Sequence, residues 1–371
     1  MVRLKISEND RSRSFARRNE VRRAEHFFAE MSPFSGRFPV RICTPWRTPA
    51  YMKRLALGGL AAAAIVALAG SNTMAAKPLN SIGISVGDLA NPFFVAIGQG
   101  ASDEAKKLGG PNVKITTVSS NYDLNTQVGQ IENFIANKTD IILVNAVDPK
   151  AIAPVLKKAT DAGVVVVTSN SDSPQSSREL FFGQDLVGAA VVQGEMLAKL
   201  AGNKGKVALT NCAPGLLALD LRIQGAKQGA AKGGLEVVNV YNTNPSDMAA
   251  ELSTIKDILK ANPDLAAIMP LCGPDTAAAG LVRKQMGNKQ PIVGTDLMYQ
   301  TLELIKEGHI DGTVGQQPYL QGYLPVMYAY QRAILAAPRL ALPDGNYFMA
   351  NEIVTKDNVD TFLVREKRFQ G

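Results

Sequence analysis

Histidine is nearly missing from this sequence: 371 residues hold two, His26 and His309. Nucleophilic and general acid–base sites use an imidazole more often than any other side chain. His309 stands just past a helical stretch in Lys306-Glu307-Gly308-His309, an ordinary place for a surface histidine. Cysteine is scarce too, with Cys43, Cys212 and Cys272 the whole complement, and none has the Cys/His spacing of a metal site. There is no Gly-x-x-x-x-Gly-Lys-Ser/Thr loop and no Gly-x-Gly-x-x-Gly after the first strand; the Gly58-Gly59 pair falls in an upstream apolar segment. These absences predict a chain that is not an enzyme and carries no cofactor and no metal. The single tryptophan, Trp46, lies in a basic N-terminal stretch. Disorder, collagen-like repeats and coiled coils are excluded by 46% hydrophobic and 20% charged residues without a sustained repeat. That composition and length fit about two globular domains.

A net charge of +7 with a pI near 9.2 would suggest a polyanionic partner. The charge is not spread along the chain, however. Residues 1–76 hold 13 Lys+Arg against 5 Asp+Glu, whereas residues 77–371 hold 27 against 28. The body of the protein therefore has no electrostatic case for nucleic acid. The basic part reads as an address. Residues 1–51 are Arg-rich, then Met52-Lys53-Arg54 opens 16 uncharged residues, 55–70, followed by Ser71-Asn72-Thr73-Met74-Ala75-Ala76. A positive start, an apolar middle and small residues around a cleavage point predict a signal peptide over 52–75, cleaved after Ala75. The apolar run falls short of the ~20 residues a membrane span needs. On this reading Met52 is the true start and 1–51 a non-native upstream extension; a long basic cytoplasmic tail is the alternative. Leu68-Ala69-Gly70-Ser71 has the form of a lipoprotein cleavage box with Ser71 where the lipidated cysteine would stand. The expected product is thus soluble, not lipid-anchored, and suited to a Gram-negative periplasm.

Downstream, β-branched apolar runs at 82–86, 113–118, 141–144, 164–168, 207–210, 237–241, 266–271 and 292–295 alternate with amphipathic stretches. Short, continuously apolar runs read as strands buried on both faces of parallel sheets. Four units precede residue 180 and four follow, predicting an α/β chain of two similar doubly wound lobes. Ligands of such sheets bind outside the carboxyl ends of the strands. Asn91 follows the first run, Asn145 the third, and Asn170, Ser171 and Asp172 the fourth. In the second half, Cys272-Gly273-Pro274-Asp275 follows the third run and Asp296 the fourth. If the two edges face each other, they suit an uncharged ligand rich in hydroxyls.

Asn91-Pro92-Phe93-Phe94 after the first strand resembles the opening of the ribose-binding type of periplasmic sugar-binding protein, the substrate-binding component of ATP-binding-cassette importers. Further marks fall in register. They are Ile141-Ile142-Leu143-Val144-Asn145, the stretch from Val165 to Pro174, Leu221-Arg222-Ile223-Gln224-Gly225, Ile292-Val293-Gly294-Thr295-Asp296 and Gly315-Gln316-Gln317-Pro318-Tyr319. The resemblance spans 80–356. It implies a type I periplasmic binding protein fold with a multi-strand hinge, a first lobe of 77–184 plus 317–347, and a second of 185–316 plus 348–371. It also implies that Asn91, Phe93, Phe94, Asn145, Asn170, Asp172, Arg222, Asp296 and Gln316 face a monosaccharide or polyol. The implied partner is an inner-membrane importer permease, served by a monomer through hinge closure. A chemoreceptor or quorum-sensing system is the alternative recipient. A repressor effector core would need a helix-turn-helix where the leader stands, and an exported enzyme would need a catalytic constellation.

The sequence departs from that family at several places. Asn170 and Ser171 replace the Asp-Arg pair of the ribose binders, which predicts a ligand other than ribose. Ser246 occupies the approximate place of a second-lobe aromatic, and Asp275 stands in for an asparagine. Cys212 and Cys272 end the first and third strands of the second lobe, neighbours in a 2-1-3-4 sheet order. A disulfide is geometrically open to them, with two buried thiols as the alternative.

Overall fold

The computed structural model describes residues 78–367 except Ser246. The expected extension, the signal peptide and the Ser246 position lie outside the described residues. Strands β1 (Ser81–Val86), β2 (Lys114–Ser119), β3 (Ile141–Val144), β4 (Val165–Ser169) and β5 (Phe181–Gln184) build the first lobe. They are joined by β11 (Asn346–Met349) in one parallel sheet of order β11-β5-β4-β3-β1-β2. Helices α1 (Pro92–Gly109), α2 (Leu124–Ala136), α3 (Ala153–Asp161) and α9 (Pro318–Ala333) cover it. Strand β3 shows why so short a run is uniformly apolar. Its alternate residues serve opposite faces: Ile141 and Leu143 pack with Ile84, Ile97 and Val326, while Ile142 and Val144 pack with Ile131, Phe134 and Leu156. Each such fully buried side chain contributes about 1.5–3 kcal/mol.

The second lobe repeats the plan with β6 (Gly205–Asn211), β7 (Leu235–Asn242), β8 (Leu265–Pro270), β9 (Val293–Thr295), β10 (Gly312–Gly315) and β12 (Glu352–Thr355). The order β7-β6-β8 continues through an Ile268–Ile292 bridge into β9-β10-β12, with β12 antiparallel. Its helices are α4 (Leu186–Leu200), α5 (Leu217–Lys232), α6 (Met248–Ala261), α7 (Gly273–Met286), α8 (Tyr299–Glu307) and α10 (Val359–Glu366). All eight expected runs are strands, and four more strands lie near the crossovers. The expected boundary after residue 347 falls inside β11, which pairs with β5 through Met349.

The chain crosses between the lobes three times, after β5, after β10 and after β11, and a single side chain joins the three passages. The buried Gln184 amide donates to the Gly315 carbonyl at 2.9 Å and to Asn351 Oδ1 at 2.7 Å. A second glutamine supports the pair: Gln317 donates to the Ala350 carbonyl at 3.1 Å. The hinge is thus a cross-linked set of strand ends.

Candidate functional site

The first lobe presents its polar groups where the strands end. Asn91 caps α1, its side-chain oxygen accepting from the Phe93 N–H at 3.0 Å, and Pro92 fills the first turn, where a missing N–H costs nothing. Asn145, after β3, is buried; its amide donates to the Ser169 carbonyl and to Asn170 Oδ1 at 3.3 and 3.2 Å. Asn170 takes a left-handed backbone, φ 63°, which asparagine tolerates better than most residues. That turn brings its amide to Gln316 Oε1 at 3.0 Å.

The second lobe answers with charge. Arg222 on α5 is 5% exposed and donates from one terminal nitrogen to the Leu271 carbonyl at 2.9 Å. Burial lowers its pKa, while Asp296 and Tyr122 beside it act the other way. Asp296, left-handed at φ 70°, accepts from Gln316 at 2.6 Å. Burial raises its pKa, and Arg222, Gln316 and the Gly273 N–H oppose that. Gly273 opens α7, so the helix dipole also favours the carboxylate. Asn170, Gln316 and Asp296 therefore form one hydrogen-bonded chain from the first lobe through the hinge to the second.

Three buried side-chain atoms in this grouping have no hydrogen-bond partner among the described residues: Asn145 Oδ1, Ser171 Oγ and the other terminal nitrogen of Arg222. An unpartnered buried polar group costs about 1–3 kcal/mol. An acceptor, a hydroxyl and a cationic donor from two lobes match the donor and acceptor faces of vicinal hydroxyls.

Two of the expected ligand carboxylates, Asp172 and Asp275, are held by protein groups. Asp172 is held by Arg178 through two bonds of 2.5 and 2.6 Å, and it also accepts from Thr168 at 2.6 Å and from the Ser173 N–H at 2.7 Å. Arg178 reaches on to Asn346 at 2.9 Å, so Asp172 anchors its turn to β11. Asp275 lies inside the second lobe, accepting from Thr210 at 2.5 Å and Thr243 at 3.0 Å. Glu251 on α6 adjoins it, and both carboxyls are fully buried. Phe93 and Phe94 belong to the first-lobe core, their rings edge-to-face at 5.2 Å.

The Asp275–Glu251 pair has a measurable consequence. Burial and the neighbouring Asp275 push Glu251 up to about 8 from 4.5, and burial pushes Asp275 up to about 6 from 3.8. A carboxyl whose folded pKa exceeds its unfolded one leaves the fold most stable below the unfolded value; stability then falls as pH rises to the folded value. The unfolding temperature should therefore drop between about pH 4.5 and about pH 8. Glu251→Gln should flatten that slope, and equal slopes for the two proteins would refute the assignment.

One residue outside the expected ligand set belongs in the grouping. Tyr122 follows β2, and its ring packs against the apolar clusters of both lobes. The signal was present: the rule that picked out the ends of the first, third and fourth strands also covers the second. Among the described residues, one set of metal-type donors lies close together, Cys212, Cys272 and Asp275. Its two sulfurs are joined in a disulfide, and its carboxylate is held by the threonines. A cavity of about 240 Å³ lined by Ser81, Lys114, Gln130 and Thr139 lies toward the opposite, amino ends of β1 and β2.

Residues 82–334 match the periplasmic binding protein domain. The ribose import binding protein RbsB of Bacillus subtilis is 31% identical over 258 residues, covering 67% of this chain and 82% of that protein. An ABC transporter solute binding protein of Burkholderia graminis, solved in complex with D-arabinose, aligns with a TM-score of 0.69 at 29% identity, over 76% of this chain and 96% of that one. A Bacillus halodurans counterpart with bound myo-inositol gives 0.69 at 26%, over 78% and 98%. Two doubly wound lobes, three crossovers and a polar seam between facing strand ends agree with these likenesses: the chain belongs to the periplasmic binding protein family, among its ribose-type members.

Proposed function

We propose that this protein captures a monosaccharide or polyol between its lobes and delivers it to the permease of an ATP-binding-cassette importer. The observation that carries this reading is the hydrogen-bonded chain Asn145–Asn170–Gln316–Asp296 across the lobes, with Arg222 beside Asp296 and with Asn145 Oδ1 and one Arg222 nitrogen buried and unpartnered among the described residues. A sugar supplies hydroxyls to all of these, and its epimer leaves one unpaired. Closure about the three crossovers buries the ligand and creates a surface that differs from the open form. The protein acts as a monomer in the periplasm, free of a lipid anchor. Within the described residues no helix is long and apolar enough to cross a membrane.

The ligand is a sugar or polyol other than ribose. Ser171 is too short to act as an arginine there, and Asp172 is committed to Arg178. A thermal-shift and calorimetry panel of D-ribose, D-arabinose, D-xylose, D-allose, D-galactose, D-fucose and myo-inositol tests the reading. A true ligand at a hundred times its Kd adds about 2.7 kcal/mol, a shift of about 5 °C or more. Ribose is expected to bind roughly a hundredfold more weakly than the best of the panel. A panel without any shift overturns the sugar reading, and ribose as the tightest ligand overturns the specificity. N-terminal sequencing of the same periplasmic preparation should start near Ala76; a start at Met1 contradicts export with cleavage.

A further inference from the structure

We propose that the ring of Tyr122 is the aromatic wall of the sugar site and determines which sugars the cleft accepts; this rests on the sugar-binding reading above. Tyr122 belongs to the first lobe by sequence, in the turn between β2 and α2, yet it packs on the apolar cluster of the second lobe as well as on its own. Its hydroxyl is hydrogen-bonded with Asn91 and feels the charges of Asp88 in the first lobe and of Asp296 and Arg222 in the second. It therefore stands among the charged groups and amides that face each other across the seam.

Its position is built rather than incidental. Asn121 and Tyr122 are consecutive left-handed residues, φ 50° and 56°. A bulky residue in that region is uncommon and persists only where surrounding contacts fix it, often at ligand sites. Here the Tyr122 N–H donates to the Gly87 carbonyl at 3.2 Å, the Ser120 N–H to the Val86 carbonyl at 2.9 Å, and Ser119 Oγ to Asn121 Oδ1 at 2.6 Å. The ring lies over Gly87, where an added Cβ would come within 2.6 Å of Tyr122 Cε1. Phe94 meets the ring edge-on, centroids 6.2 Å apart and planes at 67°. Glycine below and phenylalanine at the side hold one ring in one orientation.

The chemistry suits that place. An aromatic ring covers the apolar C–H face of a sugar, and its polar tip stays hydrogen-bonded. Burial and the nearby Asp88 raise the pKa of the hydroxyl, which is hydrogen-bonded with the Asn91 side chain. A sugar seated on the ring directs its hydroxyls toward Arg222, Asp296 and Asn145. An epimer whose axial hydroxyl points at the ring lifts off it, so the ring discriminates where the polar groups alone would not. No tryptophan occurs among the described residues to take this part.

Calorimetry on the unaltered protein, Tyr122→Leu and Tyr122→Phe against the seven sugars and polyols named above tests the proposal. Tyr122→Leu keeps apolar bulk and removes the flat face. It is expected to weaken the tightest ligand roughly tenfold and to compress the differences between epimers. Tyr122→Phe is expected to keep the ranking. If Tyr122→Leu retains both affinity and ranking, this inference fails while the sugar reading stands. If the unaltered protein binds none of the seven, both fail. Should Tyr122→Leu not fold, Tyr122→Trp decides: its emission, read as the difference from the unaltered protein, shifts on adding the tightest ligand when the ring contacts sugar. Unchanged emission overturns the proposal.

Discussion

Replacing Arg222 with alanine is expected to weaken binding of the preferred sugar by about 2–5 kcal/mol, roughly thirtyfold to a few thousandfold. The guanidinium is 5% exposed, with one terminal nitrogen on the Leu271 carbonyl and the other unpartnered among the described residues. Three groups lose by its removal. The Leu271 carbonyl is left without its donor, the sugar loses a charge-assisted bond, and Asp296 is left as a buried carboxylate without its neighbouring cation. Asp296 then binds a proton more readily and accepts sugar hydroxyls less well. Arg222→Lys should recover only part of the affinity, because a single ammonium cannot reproduce the planar fork. Calorimetry decides the point with each variant's fold confirmed by circular dichroism. Wild-type affinity in Arg222→Ala would remove it from the site.

The contrast between Arg222 and the two displaced carboxylates shows what a sequence carries and what it withholds. Buried parallel strands announce themselves, because both faces must be apolar, and each of the eight apolar runs ends within two residues of its strand. Strands β5, β10, β11 and β12 have four residues each of weaker signature; their pairing is set by the crossovers, which no local pattern encodes. The strand-edge rule located Asn145, Asn170 and Asp296, and the structure joins Asn145 to Asn170 and links Asn170 through Gln316 to Asp296. It could not tell a carboxylate facing the cleft from one facing inward. Asp172 has the right edge and the wrong partner, since Arg178 lies six residues on in the same turn. Asp275 has its neighbours at Thr210 in β6, Thr243 just past β7 and Glu251 in α6, each more than 20 residues away in the chain. Hydrogen bonding at such separations follows from the tertiary fold and leaves no periodic trace.

The largest expected stability effect comes from the Cys212–Cys272 disulfide, the open alternative that the structure resolves in favour of a bridge. Strands β6 and β8 are neighbours, as the expected order required, and the two Cα atoms stand 6.2 Å apart. The bridge closes a loop of sequence separation 60, for which chain entropy gives about 4 kcal/mol of destabilised unfolded state. That is a large part of the 5–15 kcal/mol typical of a domain. Urea unfolding in the presence of reductant should show the loss, and Cys212→Ala/Cys272→Ala should show it without reductant. The bridge also sits where the site is assembled. Cys272 is the residue before α7; the Leu271 carbonyl on one side of it holds Arg222, and the Gly273 N–H on the other faces Asp296. The Cys272 carbonyl accepts from Thr276 Oγ1 at 2.7 Å, tying the same turn to β9 through Thr295. Reduction should therefore lower sugar affinity as well as stability, because both charged groups lose a fixed neighbour. Equal urea midpoints with and without reductant would show that the bridge contributes nothing. Two free thiols titrated in the unfolded, unreduced form that starts near Ala76 would show that it is not formed.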